Sequence, residues 1–377
     1  MADTKFAVMN PGKHHLGYSF DFPPYQNTRF LRDKLIKEMR FKTAVMMNRR
    51  AYVGNVKYTL YDGSVETLSD SIFKSKTNNF DAFTTDRRID VAVGDGEDII
   101  RLAGYADRLL QFKQNTLHII NVSGASEFLE DVYKFKGVNN PASVCETDFG
   151  IAWGNSYGAY LFDGRRIVNL LERDNLRKIS PTQWDTIGAS DTIYAGYIPK
   201  ERQILFTDEA GDVMLYDVVT KSWTYTPSRL DADNKTNLVN TWDGSLVFGQ
   251  KDGGTGDTQT FSVFKYEVEP PSTTGVKFFL QTKDLDFGEP ATAKKIKKVY
   301  ITHKNSGDDA IFNYYKDGTT TTGSNVTLTD SAQWLRQEIP ISESLYSIKL
   351  AIQGNSSLDK DFEINDISIV FREKTRK

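Results

Sequence analysis

Four histidines, a single cysteine and 50 carboxylates are the groups in this chain best able to do chemistry. His14, His15, His118 and His303 show no H-x-x-x-H spacing, and Cys145 has no C-x-x-C partner. A zinc site needs several such ligands at short fixed spacings, so a metal centre finds no support. Nucleophilic catalysis finds none either. No G-x-S-x-G turn occurs, and no histidine lies near Cys145 in sequence. Cys145 falls in an apolar strand pattern, Ser143 to Glu146, and reads as core. His14 and His15 read as surface residues of a leader. His118 and His303 read as strand residues satisfied by local hydrogen bonds.

Two acidic turns are dense in oxygen ligands: Asp95-Gly96-Glu97-Asp98 and Asp252-Gly253-Gly254-Thr255-Gly256-Asp257. The first lacks the residue order of a calcium loop. Both read as solvated turns, with a divalent cation as the alternative. Paired carboxylates for sugar hydrolysis stay open, because 50 acids offer no preferred pair. Trp153, Trp184, Trp223, Trp242 and Trp334 could stack on sugars, but their even spread argues for packing between repeats. Basic runs are Arg49-Arg50, Arg87-Arg88, Arg165-Arg166, Lys294-Lys295 with Lys297-Lys298, and Arg372 to Lys377. Most read as soluble rims. Lys294 to Lys298 flanks a strand start and could face acidic turns of a neighbouring copy. No catalytic residue, cofactor or metal is predicted, and the chain is read as not an enzyme.

The elements that must position these groups are short strands. Gln203 to Pro227 reads as strand, tight turn, strand, turn, strand, the content of one propeller blade. A meander of this size cannot bury its faces alone and asks for copies. Matching hairpins are anchored at Tyr52, Leu109, Ile151, Ile204 and Leu246, at intervals of about 40–60 residues. Tyr61-Asp62-Gly63, Phe162-Asp163-Gly164 and Tyr216-Asp217 end the second strands alike. The aromatic packs between blades, the Asp caps the next turn, and Gly supplies a positive φ. Ser126 to Glu130 reads as a single helical turn. Ser180-Pro181 reads as a helix start, with Ser as N-cap and Pro at the first position.

The expected fold is all-β: a five- or six-bladed β-propeller followed by a C-terminal antiparallel β-sandwich. Residues 1–40 read as an N-terminal arm with one short helix, Thr28 to Lys37. Residues 41–269 form the propeller, with Ile89 to Leu102 as a candidate sixth blade. Residues 270–276 are a Pro-rich linker. Residues 277–377 carry seven or eight cleaner alternating strands, of jelly-roll or immunoglobulin-like type. Net charge is −3, so no global basic field draws nucleic acid or anionic lipid. The lone cysteine excludes an intramolecular disulfide and fits a reducing compartment. The start, MADTKFAVMNPGKHH, does not read as a signal peptide, and no apolar run suggests a membrane span.

Several segments resemble a known family. They are RIDVAVGDGEDI (Arg88 to Ile99), ADRLLQFKQNTLHIINVSG (Ala106 to Gly124), EFLEDVYKFKGV (Glu127 to Val138) and ETDFGIAWGNSYGAYLFDG (Glu146 to Gly164). They look like propeller segments of tailed-bacteriophage virion proteins, nearest to the tail-nozzle or head-stabilisation kind of short-tailed phages. DFEINDISIVFREK (Asp361 to Lys374) resembles the closing strand of phage structural proteins. The resemblance implies a structural virion protein, six copies ringing the tail channel at the head-to-tail junction, assembled in the host cytoplasm. It implies adaptor, portal or tail fibres as partners, transient contact with passing DNA, and no active site. Candidate subunit contacts are Phe20, Phe22 and Tyr25 in the arm, with Lys294, Lys295, Lys297, Lys298, Arg372, Lys374 and Arg376. Two alternatives are carried beside it: a carbohydrate-binding or glycoside-hydrolysing propeller protein, and a receptor-binding tail tip.

Overall fold

In a computed structural model of the chain, residues 4–6, 36–124, 126–173, 176–189, 192–230, 237–253, 260–266, 279–305, 310–319, 325–354 and 362–374 are described. The protein is all-β, with a single α-helix among these residues, and no helix is long and apolar enough to cross a membrane. The chain divides into two compact units, Met1–Tyr266 and Glu267–Lys377.

The first unit is a succession of antiparallel meanders. Sheet 1 runs β1 (Thr4–Phe6), β2 (Ile36–Met47), β3 (Arg50–Leu60), β4 (Val65–Lys74) and β5 (Arg88–Asp90). Sheet 2 runs β6 (Arg101–Tyr105), β7 (Arg108–Phe112), β8 (Thr116–Asn121) and β9 (Phe128–Lys134). Sheet 3 runs β10 (Val144–Thr147), β11 (Gly150–Asn155), β12 (Gly158–Phe162) and β13 (Ile167–Asn169). A short hairpin of β14 (Glu172–Arg173) and β15 (Leu176–Arg177) and the helix α1 (Pro181–Gly188) follow. Sheet 4 runs β16 (Tyr194–Ile198), β17 (Gln203–Thr207), β18 (Val213–Asp217) and β19 (Ser222–Thr226). Sheet 5 has β20 (Val239–Asn240), β21 (Leu246–Gly253) and β22 (Thr260–Lys265). Tyr52, Leu109, Ile151, Ile204 and Leu246 all fall in the second strand of a sheet, or the third of sheet 1.

Strand alternation points successive side chains to opposite faces, and each meander uses both faces. Leu109 of β7 packs with Tyr52 and Ile72 of sheet 1. Its neighbours Leu110 and Phe112 pack with Ile151, Trp153 and Phe162 of sheet 3. Ala152 and Leu161 of sheet 3 pack in turn with Ile204, Phe206 and Met214 of sheet 4. Leu205 and Val213 of sheet 4 pack with Leu246 and Phe248 of sheet 5. Every sheet therefore shares a core with the next, and β2, β6, β10, β16 and β20 contact one another in that order. Polar pins cross the same joints. Leu102 N donates to Thr43 Oγ1 at 2.9 Å, Ser143 Oγ to Ile193 O at 2.6 Å, and Asn240 Nδ2 to Tyr197 O at 2.9 Å. Glycine lets two of the joints close. A Cβ on Gly196 would sit 2.9 Å from Leu238 Cβ, and one on Gly154 would sit 3.1 Å from Phe206.

The turns follow the sequence logic closely. Asp62 accepts from Ser64 N at 2.8 Å, Asp163 from Arg165 and Arg166 N at 2.9 Å, and Asp217 from Val219 and Thr220 N at 2.8 Å. Gly63 and Gly164 take φ of 90° and 92°. Ser180 caps α1 in a full capping box with Gln183.

Four expectations are corrected. Ser126 to Glu130 is not a helical turn, because Phe128 opens the edge strand β9, paired to β8. Ile89 to Leu102 is not a separate sheet: β5 extends sheet 1 and β6 opens sheet 2. Ile36 and Lys37 belong to β2 rather than to a helix, and the rest of Thr28 to Lys37 lies outside the described residues. Trp242 is 99% exposed and Trp334 51% exposed, so neither packs between repeats. The remaining three do pack: Trp153 meets Phe112 across a sheet joint at 5.2 Å between centroids, and Trp184 meets Phe206 and Trp223.

The second unit has two sheets enclosing one apolar core. The order in sheet 6 is β23 (Phe279–Gln281), β28 (Ile348–Gly354), β25 (Ala310–Lys316) and β26 (Asn325–Thr327). In sheet 7 it is β27 (Ser331–Leu345), β24 (Lys294–Asn305) and β29 (Glu363–Glu373). Central β24 turns Ile296, Val299 and Ile301 inward, against Phe312, Leu350 and Ile352 of the facing sheet.

Candidate interaction surfaces

Between sheets 1 and 2 lies a buried polar cluster. Gln111 and His118 are cross-strand partners on the face that carries Leu109 and Ile120. Lys113 follows on the same side, with its side chain wholly buried. Its Nζ donates to Ala92 O at 2.7 Å and to both oxygens of Asp95, at 2.6 and 2.7 Å. Burial works against the Asp95 carboxylate, but Lys113 and the Glu97 N–H outweigh it and hold its pKa below the ordinary value. Burial, reinforced by the Lys113 ammonium, lowers the pKa of His118. Glu97 accepts from Asn115 Nδ2 at 2.6 Å and Thr116 Oγ1 at 3.1 Å. The acidic turn at Asp95 is thus consumed in holding its own loop. The side chains of the other acidic turn, Asp252 to Asp257, lie outside the described residues. His303 Nε2 meets Gln337 Oε1 at 3.4 Å, as expected of a locally bonded strand histidine, but His303 Nδ1 and His118 Nδ1 find no hydrogen-bond partner. Among the described residues no group of three His, Cys, Asp or Glu could hold a metal ion. The Cys145 thiol is pushed up to about 12 by burial, and it packs on the core shared by sheets 3 and 4. A thiol so far from ionisation is a poor nucleophile.

The outer face of sheet 7 is a ladder of charge. Lys298 Nζ meets Glu338 at 3.0 Å, Lys304 meets Glu363 at 3.1 Å, and Thr302 Oγ1 donates to Asp366 at 3.1 Å. Arg336 lies over the Tyr300 ring at 4.2 Å. The Lys294 to Lys298 run therefore splits by role. Lys294 is buried, with Nζ donating to Glu289 O and, at 3.3 Å, to Tyr346 O. Lys298 is paired. Lys295 and Lys297 are exposed, and Lys295 lies directly opposite exposed Arg372 on β29. Lys374 is exposed beyond that strand. Phe20, Phe22, Tyr25, Arg376, His14 and His15 lie outside the described residues.

Apolar exposure concentrates elsewhere. On the outermost strand of sheet 2, Phe128, Leu129 and Val132 are 55%, 42% and 48% exposed. Exposed Phe135 just beyond it packs on exposed Tyr157 in a tilted pair, 5.2 Å between centroids. Composition did not single this run out, because its alternation of acids and apolar residues reads equally as a helical turn.

These features define an all-β protein of serially packed small sheets. No family model matches the chain, and no curated protein does. Solved structures similar to it include exo-β-1,3-galactanase from Phanerochaete chrysosporium, at 8% identity and TM-score 0.28, covering 87% of this chain and 95% of that one. Virginiamycin B lyase from Staphylococcus aureus aligns at 11% identity and TM-score 0.33, covering 86% and 96%. The extracellular domain of a putative hybrid two component system from B. thetaiotaomicron aligns at 13% identity and TM-score 0.38. That alignment takes in 66% of this chain but only 29% of the other.

Proposed function

We propose that this chain is a non-catalytic assembly protein. Its five meander sheets are blades of a propeller, and its second unit is a β-sandwich that presents contacts. The shared cores and aromatic joints support the rigid-part reading, since each sheet is locked by its neighbours. The observation that carries assembly is the exposed apolar run Phe128, Leu129, Val132, Phe135 and Tyr157. Leu129 and Val132 lie opposite Ile120 and His118 on one face of the edge strand, with Phe128 on the other, and large apolar side chains left exposed at a sheet edge suit a contact site. The resemblance to phage nozzle and head-stabilisation proteins gives the proposal its specific form. Copies would form a closed ring at the tail or neck of a virion, beside adaptor, portal or fibre proteins, with DNA passing through. A ring needs heterologous contacts that close. Native mass spectrometry tests this: a discrete oligomer that Phe128→Asp with Val132→Asp dissolves supports it. A strict monomer with glycosidase turnover ends it.

A second reading, a carbohydrate-binding or glycoside-hydrolysing protein, is favoured by Trp242 and Trp334. Their exposed indoles suit stacking on sugar rings. Calorimetric titration with β-linked oligosaccharides, run on the protein and on Trp242→Ala, separates the two readings.

A further inference from the structure

We infer that the free edge of β29 is a self-recognition surface, joining two copies antiparallel through a two-fold axis at Ile369. Sheet 7 has two edges, β27 and β29, around central β24. The β27 edge is guarded. It carries Pro340, and Ser342 takes φ of 56°, both of which obstruct continued pairing. The β29 edge has neither device along Glu363–Glu373. Among the described residues no strand pairs with its outer side. A bulge at Asn365 interrupts the start of the strand, but from Asp366 to Glu373 the edge is regular and is a template for another strand.

The sequence of β29 selects one occupant, a second copy of itself. Its register on β24 turns Ile367, Ile369 and Phe371 inward and Asp366, Ser368, Val370 and Arg372 outward. Antiparallel self-pairing centred on Ile369 places Ile367 opposite Phe371 of the second copy and Ile369 opposite itself. It places Asp366 opposite Arg372, twice, on the outer face. Sliding the register by two residues one way sets Glu363 against Glu373; sliding it the other way sets Ile367 against Glu373. The Ile369-centred pairing keeps Ile367, Ile369 and Phe371 against apolar partners and Asp366 against Arg372, and sets no acid opposite another acid or an apolar residue.

Charge supplies a second reason. Arg372 is exposed and lies directly opposite Lys295 of the neighbouring strand β24, a like-charge pair. Like charges opposite one another destabilise a sheet. A carboxylate from a second copy on the free side of Arg372 relieves that repulsion. Ile367, Ile369 and Phe371 are only half-buried within one unit, and the pairing covers them. A two-fold axis normal to the sheet keeps both apolar cores on the same side, so sheet 7 continues as six strands. This contact is isologous and does not rest on the proposed ring, whose contacts are heterologous.

The test uses the full chain, by sedimentation velocity and native mass spectrometry over about 1–100 μM. The wild type is expected to show a dimer or an even-numbered assembly. Asp366→Arg alone and Arg372→Asp alone each set like charges opposite one another and should weaken association about tenfold or more. Mixing the two variants sets every substituted side chain against its opposite, so a mixed dimer should return. Thermal unfolding of each variant checks the fold. Ser368→Lys, an exposed change beside the axis, serves if either variant fails to fold, and it should also dissociate the pair. A wild type that stays monomeric, or an assembly indifferent to these substitutions, overturns the inference. An odd-numbered ring unaffected by Asp366→Arg overturns the edge pairing while leaving the assembly proposal standing.

Discussion

The ammonium of Lys113 is wholly buried and is held by both oxygens of Asp95, at 2.6 and 2.7 Å, while Asp95 itself keeps about a third of its side chain exposed. The two partners are therefore not equivalent. Asp95→Asn leaves a buried cation with only Ala92 O and a neutral amide, and is expected to cost roughly 3 kcal/mol. Lys113→Met leaves a carboxylate that water can reach, and should cost clearly less. Chemical denaturation of both variants measures the difference. The Asp95 pKa is lowered on folding, so its contribution is present above about pH 4 and is lost as pH falls through the folded value.

His118 and His303 give a second pH signature at milder acidity. Burial lowers both pKa values below the ordinary imidazole value. The Lys113 ammonium adds to the effect at His118, against Asp95 and Glu97. The unfolded chain then binds protons first, so stability present above about pH 6.5 falls as pH drops below it. Urea midpoints between pH 7.5 and 5 should decline in the wild type. His118→Gln and His303→Gln should each flatten that decline in part, and the double variant should remove most of it.

The five tryptophans separate packing from surface. Trp184 is buried, donates Nε1 to Asn155 O at 2.8 Å and touches Phe206 and Trp223. Trp184→Ala should cost about 3–5 kcal/mol. Trp242→Ala, at a fully exposed position, should fall within about 0.5 kcal/mol of wild type. Thermal melts of both decide it.

Much of the strand pattern was legible, because short apolar runs between Asp- and Gly-bearing turns admit few other structures. Asp62, Asp163 and Asp217 each cap the turn that their position announces. What escaped reading depends on partners distant in sequence. Phe128 is a strand residue because β8 offers it a ladder, and Lys294 is buried because Glu289 and Tyr346 bring carbonyls to its Nζ. A run of lysines says nothing about which of them folds inward. The edge of β29 was likewise invisible, since a sequence does not say which strand ends a sheet.

The glycines at the sheet joints offer the sharpest test of serial packing. Gly196 lies on β16, the strand of sheet 4 that meets β20 of sheet 5. A Cβ there would come within 2.9 Å of Leu238 Cβ and 3.1 Å of Leu246, both at the joint. The Leu246 methyl can shift, but Leu238 Cβ is fixed to its own backbone, so branching at Gly196 pushes the two sheets apart. Gly196→Val is therefore expected to cost about 1–3 kcal/mol. By contrast, Gly244, a turn glycine with open space around its Cβ direction, has φ of 79°. Gly244→Asn should cost less, because Asn tolerates the left-handed region and meets no neighbour. Hydrogen exchange should show Gly196→Val loosening β20 and β21 more than β10 and β11. Equal loosening across all five sheets would mean that they unfold as one block rather than joint by joint.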